Sequence, residues 1–246
     1  MAGAAAAVLV VAAVLVAVAF ARGSHERRTR LTVFAAASLT DVFPQIDHRS
    51  RYSFGGSSML AAQIIQGLPS DVFASADTAL PRQLHRKGLV TRPVVFTANK
   101  LVIVVARGNP LHLHSVRDLE KPGLRIVMAA AGVPVGDYTL EVLKRLRLTN
   151  LAAKAASQET DVRAVLSKVV LGEADAGFVY ATDARTVLGK VGVLELPKSA
   201  QPRVLYAAAA VRSSKHLEAA REWIRHLLRK PAQRKLRAAG FLRIPR

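Results

Sequence analysis

The sequence predicts an α/β fold of two lobes, each a mainly parallel sheet flanked by helices, with a ligand cleft between them. Three observations predict it. From Leu31 onward, short apolar runs alternate with amphipathic stretches, the order that packs helices onto the faces of a parallel sheet. That order occurs twice, before and after the long β-rich run "KLVIVVARGNP". A late apolar run, "RVLYAAAAV", follows the second set and supplies a strand for return to the first. With 246 residues the chain is long enough for one large domain or two small lobes.

In the first set, "LTVFAAAS" is apolar throughout and β-rich at its start, a buried strand. "LTDVFPQI" is a short helix limited by Pro44, and "RYSF" is the next strand. After "GGSS", Leu60 pairs with Ile64 and Ala61 with Ile65 at helical spacing, and the helix stops at Gly67 with Pro69 beyond. "DVFAS" is a third strand and "ALPRQLHRKGL" a helix ending at Gly88. The second set runs through strand "LRIVMAA", turn "AGVPVGD", helix "YTLEVLKRLRL", helix "TDVRAVLSKVVLGE" and strand "AGFVY". Leu217, Ala220, Ile224 and Leu228 then share a face of the closing helix "KHLEAAREWIRHLLRK". Crossover strands near 100–106 and 203–210 give lobe I as 31–102 with a return segment 204–246, and lobe II as 103–203.

The chain contains no cysteine, which excludes disulfides, thiolate metal sites and cysteine nucleophiles. Residues 1–21 are uncharged and almost wholly apolar, ending in the small-x-small triplet Ala19-Phe20-Ala21, and a basic linker over 22–30 follows. Export with cleavage is the first reading of this segment. Its length, and the arginines that follow rather than precede it, keep an uncleaved N-terminal anchor open. The net charge of +19 lies wholly outside residues 1–21.

Small residues gather at four helix starts: Ser38; Ser57 and Ser58; Val135 and Gly136 after Pro134; and Val162 behind the cap Asp161. Each helix start leaves backbone N–H groups without partners and carries about half a positive charge. Several such ends facing one cleft form a neutral cage of donors suited to an oxyanion, with no need of lysine or arginine. The hydroxyls of Ser38 and Ser57 add donors, and Tyr180 at the end of "AGFVY" adds a phenol from the opposite lobe.

Four stretches, "TVFAAASLTDVF", "FGGSSMLAAQIIQGLPSDVFASAD", "VPVGDY" and "DVRAVLSKVVLGEADAGFVYATDA", resemble the periplasmic molybdate-binding proteins of ABC importers. The resemblance extends over nearly all of the chain after Arg30. It implies a class II periplasmic-binding fold that closes on one molybdate or tungstate and performs no chemistry. It further implies a monomer without a cofactor, which delivers its ligand to a membrane permease with an ATPase subunit. Carried over by motif, the ligand contacts are Ser38, Ser57, Val135, Val162 and Tyr180. Three features depart from the family pattern. The stretch between Phe43 and Tyr52 is short, Val135 stands where a smaller residue is common, and Asp137 repels a dianion unless its side chain points away.

Other readings stand beside this one. Ser38 and Ser57 in isolation are equally N-caps, Ser58 fits a local backbone bond, and Asp161 fits a cap alone. His112 and His114 in "LHLHS" have no third ligand nearby and read as a solvated loop, not a metal site. "GGSSM" lacks the spacing of a nucleophile elbow, and no acid–base pair can be assembled, so an enzyme is not expected. The arginine-rich C-terminal region carries only Trp223 and Phe241 as aromatics, both at core positions, so a solvated basic surface is expected and not a nucleic-acid reader. Sulfate or phosphate remains an alternative ligand, and a nucleic-acid or membrane-surface role on the same fold a more distant one.

Overall fold

A computed structural model describes residues 30–245. The apolar leader and all of the basic linker except Arg30 lie outside the described residues. The first part of the chain forms β1 (Thr32–Ala36), a 3-10 turn (Ala37–Leu39), α1 (Phe43–Ile46), β2 (Arg51–Gly55), α2 (Ser57–Ile65), β3 (Val72–Ser75), α3 (Ala79–Arg86) and β4 (Val94–Asn99). The second part forms β5 (Leu101–Ala106), a 3-10 turn (Val116–Glu120), β6 (Ile126–Ala129), α4 (Pro134–Leu146), α5 (Asn150–Ala153) and β7 (Ser157–Glu159). It continues through α6 (Val162–Val170), β8 (Ala176–Tyr180), α7 (Ala181–Arg185) and β9 (Val191–Glu195). The return consists of β10 (Val204–Ala210), α8 (Leu217–Leu227) and α9 (Lys230–Ala238).

Two five-stranded sheets result, ordered β2-β1-β3-β10-β4 and β7-β6-β8-β5-β9. The expected α/β architecture of two lobes is present, but the sheets are mixed where mainly parallel ones were expected. β10 runs antiparallel to β3 and β4, and β5 antiparallel to β8 and β9. The cause is connectivity. Each sheet accepts a strand arriving from the other lobe, and that strand enters from the opposite end. The chain passes between sheets at Lys100, the single residue separating β4 from β5, and again over residues 196–203.

Several elements differ from the sequence reading. Pro44 sits in the first turn of α1, so the first helix splits into a 3-10 turn and a four-residue helix. α4 starts at Pro134 instead of Tyr138, with the proline in its first turn. On α8 the buried stripe is Ala220, Trp223, Ile224 and Leu227, while Leu228 is 45% exposed beyond the helix end. Trp223 and Phe241 are buried, as expected. The short stretch after Phe43 is held by Asp47. Its carboxylate accepts the Trp223 indole N–H at 2.9 Å, and its carbonyl accepts the Tyr52 hydroxyl at 2.6 Å.

The pairing register positions the site. β1 and β2 are parallel with Ala36 opposite Gly55. Ser38 and Ser57 each lie two residues beyond that pair, so the register brings both serines to one level at the carboxyl edge of the sheet. In the second lobe β6 and β7 are parallel with Ala129 opposite Glu159, and β8 ends at Tyr180. The carboxyl ends of these parallel strands face one another, the place where open α/β sheets bind ligands.

Candidate functional site

A small cavity of about 10 Å³, room for roughly one water, lies between the two sets of strand ends. Its lining from the first lobe comprises Ala36, Ala37, Ser38, Gly55, Gly56, Ser57 and Ala76. Val133, Pro134, Val135, Asp161, Val162 and Tyr180 line it from the second. The five residues singled out in the sequence therefore meet at one place, and all five are buried. Among the described residues, no lysine or arginine lines it. Asp137 is exposed and absent from the wall; its carboxylate accepts the Gly132 N–H at 2.8 Å. His112 and His114 lie in an exposed loop far along the chain from this wall.

The helix starts at this cavity are short of caps. No side chain caps the 3-10 turn at Ser38, α2 or α4. Asp161 does cap α6, its carboxylate accepting from the Arg163 N–H at 2.7 Å and the Ala164 N–H at 3.1 Å. The cap reaches the second and third residues of the helix and leaves the first N–H, that of Val162, uncapped. α4 is pressed onto the end of β6, since a Cβ on Gly136 would meet the Ala130 carbonyl oxygen at 2.2 Å. Only glycine allows that approach, which sets Val135 at the wall.

The three hydroxyls differ in what they already bind. Ser57 Oγ accepts the Ala76 N–H at 3.2 Å, and Ser38 Oγ lies 2.8 Å from the Tyr206 hydroxyl. The Tyr180 hydroxyl is fully buried and has no hydrogen-bond partner among the described residues. A buried phenol in that condition costs about 1–3 kcal/mol unless something completes it. Burial also pushes the Tyr180 phenol well above its usual range, so it keeps its proton and remains a donor. Backbone N–H groups, two serines and one phenol around one small cavity can hold an acceptor-rich anion by hydrogen bonds alone.

Next to the cavity, Arg163 forks between the lobes. Its Nε donates to Asp183 Oδ1 at 2.6 Å, and its Nη2 donates to the Asp41 carboxylate of the first lobe. Burial raises the Asp183 carboxyl to about 7, with Arg163 pulling in the opposite direction. The sequence reading missed Arg163, Asp183, Tyr206 and Asn99. Tyr206 had a signal available, being the one polar-tipped side chain after Arg203 in the run "RVLYAAAAV".

Comparison with known proteins follows the same line. The molybdate-binding protein ModA of Mycobacterium tuberculosis is 36% identical over 229 residues, 89% of this chain and 87% of that protein. ModA of Haemophilus influenzae is 29% identical over 234 residues, 89% of this chain and 92% of its own length. Among solved structures, the periplasmic molybdate-binding protein of Azotobacter vinelandii superposes with a TM-score of 0.77 at 23% identity, across 88% of this chain and 100% of that one. The sulfate-binding protein SubI of Mycobacterium tuberculosis gives 0.75 at 18% identity, across 87% and 86%. The two-lobed fold is thus shared by proteins named for different oxyanions, and fold by itself does not choose between them. Residues 31–242 match the sequence model of the bacterial extracellular solute-binding proteins, and the chain belongs to that family.

Proposed function

We propose that this chain is an extracytoplasmic solute-binding protein that captures molybdate or tungstate and delivers it to an ABC import permease with its ATPase subunit. The anion is held by the hydroxyls of Ser38, Ser57 and Tyr180 and the backbone N–H groups of Val135 and Val162. The observation that carries this reading is the buried Tyr180 hydroxyl, which lines the cavity opposite the two serines without a partner of its own. A tetrahedral oxyanion supplies acceptors to that phenol and to the uncapped helix starts together. The relatives named for molybdate support the choice of anion. Binding draws lobe II (103–203) against lobe I (31–102 with 204–246), and the permease recognises the closed form.

Thermal melting of the purified protein with molybdate, tungstate, sulfate, phosphate or no anion tests this. At a thousandfold excess over Kd a specific ligand adds about 4 kcal/mol to the native state, a rise in Tm of roughly 8–16 °C for a chain of this size. Molybdate and tungstate are expected to give that rise and sulfate little, since a smaller anion cannot reach donors on both lobes at once. Ser38→Ala, Ser57→Ala and Tyr180→Phe should each weaken molybdate about 10- to 100-fold, the range for a hydrogen bond to a charged group. A rise with sulfate alone would reassign the anion, and no rise with any oxyanion would overturn the reading.

A further inference from the structure

The end of the first lobe that points away from the cleft gathers positive charge. The amino ends of β1, β2 and β3 meet there with the carboxyl end of β10, where Ala210 stands opposite Val72. Backbone bonds tie the loops together: the Arg51 N–H donates to the Leu31 carbonyl at 2.7 Å, and the Val211 N–H to the Asp71 carbonyl at 2.9 Å. The Arg212 N–H donates to Leu89, just past α3, at 2.9 Å, and the Thr91 N–H to Ala210 at 2.8 Å. Three separate stretches thus bring Arg51, Arg86, Lys87, Arg92, Arg212 and Lys215 to one end. All six are exposed, and among the described residues none forms an ion pair.

The acidic groups nearby are engaged elsewhere. Asp71 is buried and accepts the Thr32 N–H at 2.6 Å together with the Ser214 hydroxyl. Asp47 accepts the Ser50 hydroxyl and the Trp223 indole, and Glu218 at the start of α8 is paired with Arg221. By contrast, the arginines farther along α8 are partly neutralised, since Arg225 and Arg229 both pair with Glu222. Two apolar side chains stand out at the same end. α2 starts at the cavity and runs back along the sheet, leaving Ile65 49% and Leu68 41% exposed where it stops. The chain also enters the fold here, at Arg30 and Leu31, after a stretch of sequence with Arg22, Arg27 and Arg28 behind the apolar run over 2–21.

We infer that this end of the first lobe docks on an anionic phospholipid surface, with the six basic side chains at the headgroups and Ile65 and Leu68 at the acyl boundary. Basic residues around exposed aliphatic ones are the pattern of a membrane interface. Nucleic acid fits less well, because among the described residues no aromatic ring is exposed here to stack on a base: Phe34 and Trp223 are buried, and the half-buried Tyr52 bonds to the Asp47 carbonyl. The chain has no cysteine, so an acyl group on that residue cannot hold it at a membrane. Strands of four or five residues, roughly 15 Å, separate this end from the cavity, which docking therefore leaves open. Docking at this end is independent of which anion the cleft holds.

Flotation of the full chain with two kinds of vesicle tests this, one of phosphatidylcholine alone and one of three parts phosphatidylcholine to one part phosphatidylglycerol. The salt is about 0.1 M, where screening sets in over about 10 Å. The ratio of the two partition coefficients isolates the charge-dependent part, since the apolar run over 2–21 adds to both. Arg51→Gln, Arg86→Gln, Arg212→Gln and Lys215→Gln combined should lower that ratio at least 100-fold, from about fivefold per residue. Arg117→Gln, Lys144→Gln, Lys154→Gln and Lys190→Gln remove as many exposed charges from the second lobe and should change it less than about threefold. Ile65→Ser with Leu68→Ser should weaken binding to the anionic vesicles about tenfold and leave any binding to duplex DNA unchanged. Equal losses from the two charge combinations, or a wild type with no preference for the anionic vesicles, would overturn the inference. Duplex DNA bound as tightly as those vesicles, with no effect of Ile65 and Leu68, would reassign the face to nucleic acid and overturn it as well. A cooperative melt at the wild-type Tm shows that each combination is folded. A wild type that docks on the vesicles but gains no Tm from any oxyanion would overturn the cleft reading alone.

Discussion

Gly56 shows how one missing methyl group sets what the two lobes can do. Its backbone angles, φ −60° and ψ 131°, are open to any residue, so its conformation does not require glycine. Space does. A Cβ at this position would lie 2.1 Å from the carbonyl oxygen of Thr160, which belongs to the opposite lobe and precedes the cap Asp161. The lobes can approach as they do only because position 56 has no side chain. Gly56→Ala should therefore hold the cleft ajar, lowering molybdate affinity about 5- to 150-fold, in line with about 1–3 kcal/mol for overpacking. The Tm of the ligand-free protein should change little, because an open cleft relieves the clash. Gly55→Ala is the control: its Cβ would meet only the flexible end of Met59, which can turn aside. Calorimetric titration of both variants decides the matter, and equal affinities for the two would refute this role for Gly56.

At the scale of elements, the start of α6 combines three functions in consecutive residues. Asp161 caps it, Val162 lines the cavity, and Arg163 ties it to Asp183 and to Asp41 of the other lobe. Asp183 is fully buried and only its Oδ1 has a partner among the described residues. Its folded pKa, about 7, stands above its ordinary value of 3.8, so the native state holds more protons than the unfolded chain between those two pH values. Stability from this group is thus complete below pH 4 and is lost as pH rises through 7. Asp183→Asn should flatten that decline, seen as the difference between wild type and variant in denaturant unfolding at pH 4.5, 5.5, 6.5 and 7.5. Parallel curves would mean that Arg163 keeps Asp183 ionised throughout.

The helix starts were legible in the sequence because caps, prolines and glycines act within a few residues. Ser38, Ser57, Val135, Val162 and Tyr180 could be picked out without knowing which strands pair. β4, β7 and β9 were not legible, and all three are edge strands. β7 is only the polar triplet Ser157–Glu159, and β9 alternates partly exposed residues, so neither carries the apolar run of a central strand. β4 was hidden because a single residue separates it from β5. The chain Asn99–Tyr206–Ser38 was not legible for a different reason: it joins residues 107 and 168 positions apart, and only the fold brings them together.

For the whole molecule, the net charge of +19 contrasts with a cavity wall that has no basic side chain among the described residues. The two features act on different steps. Exposed lysines and arginines draw an anion toward the protein over distances set by screening, about 30 Å at 0.01 M salt and about 10 Å at 0.1 M. On the proposed reading, selection falls to the donors in the cleft, where screening by salt is much weaker. Raising salt from 0.01 to 0.3 M should therefore slow molybdate association roughly tenfold, the lower end of the range for electrostatic steering. Dissociation and the ratio of molybdate to sulfate affinity should stay constant within about twofold, because neither depends on charges outside the cleft. Stopped-flow binding at several salt concentrations separates the two rates. A selectivity ratio that collapsed with salt would mean that a mobile basic side chain enters the site on binding, and the neutral cage would no longer account for specificity. A constant ratio with a salt-dependent association rate would assign capture to the surface and choice to Ser38, Ser57, Tyr180 and the helix starts around them.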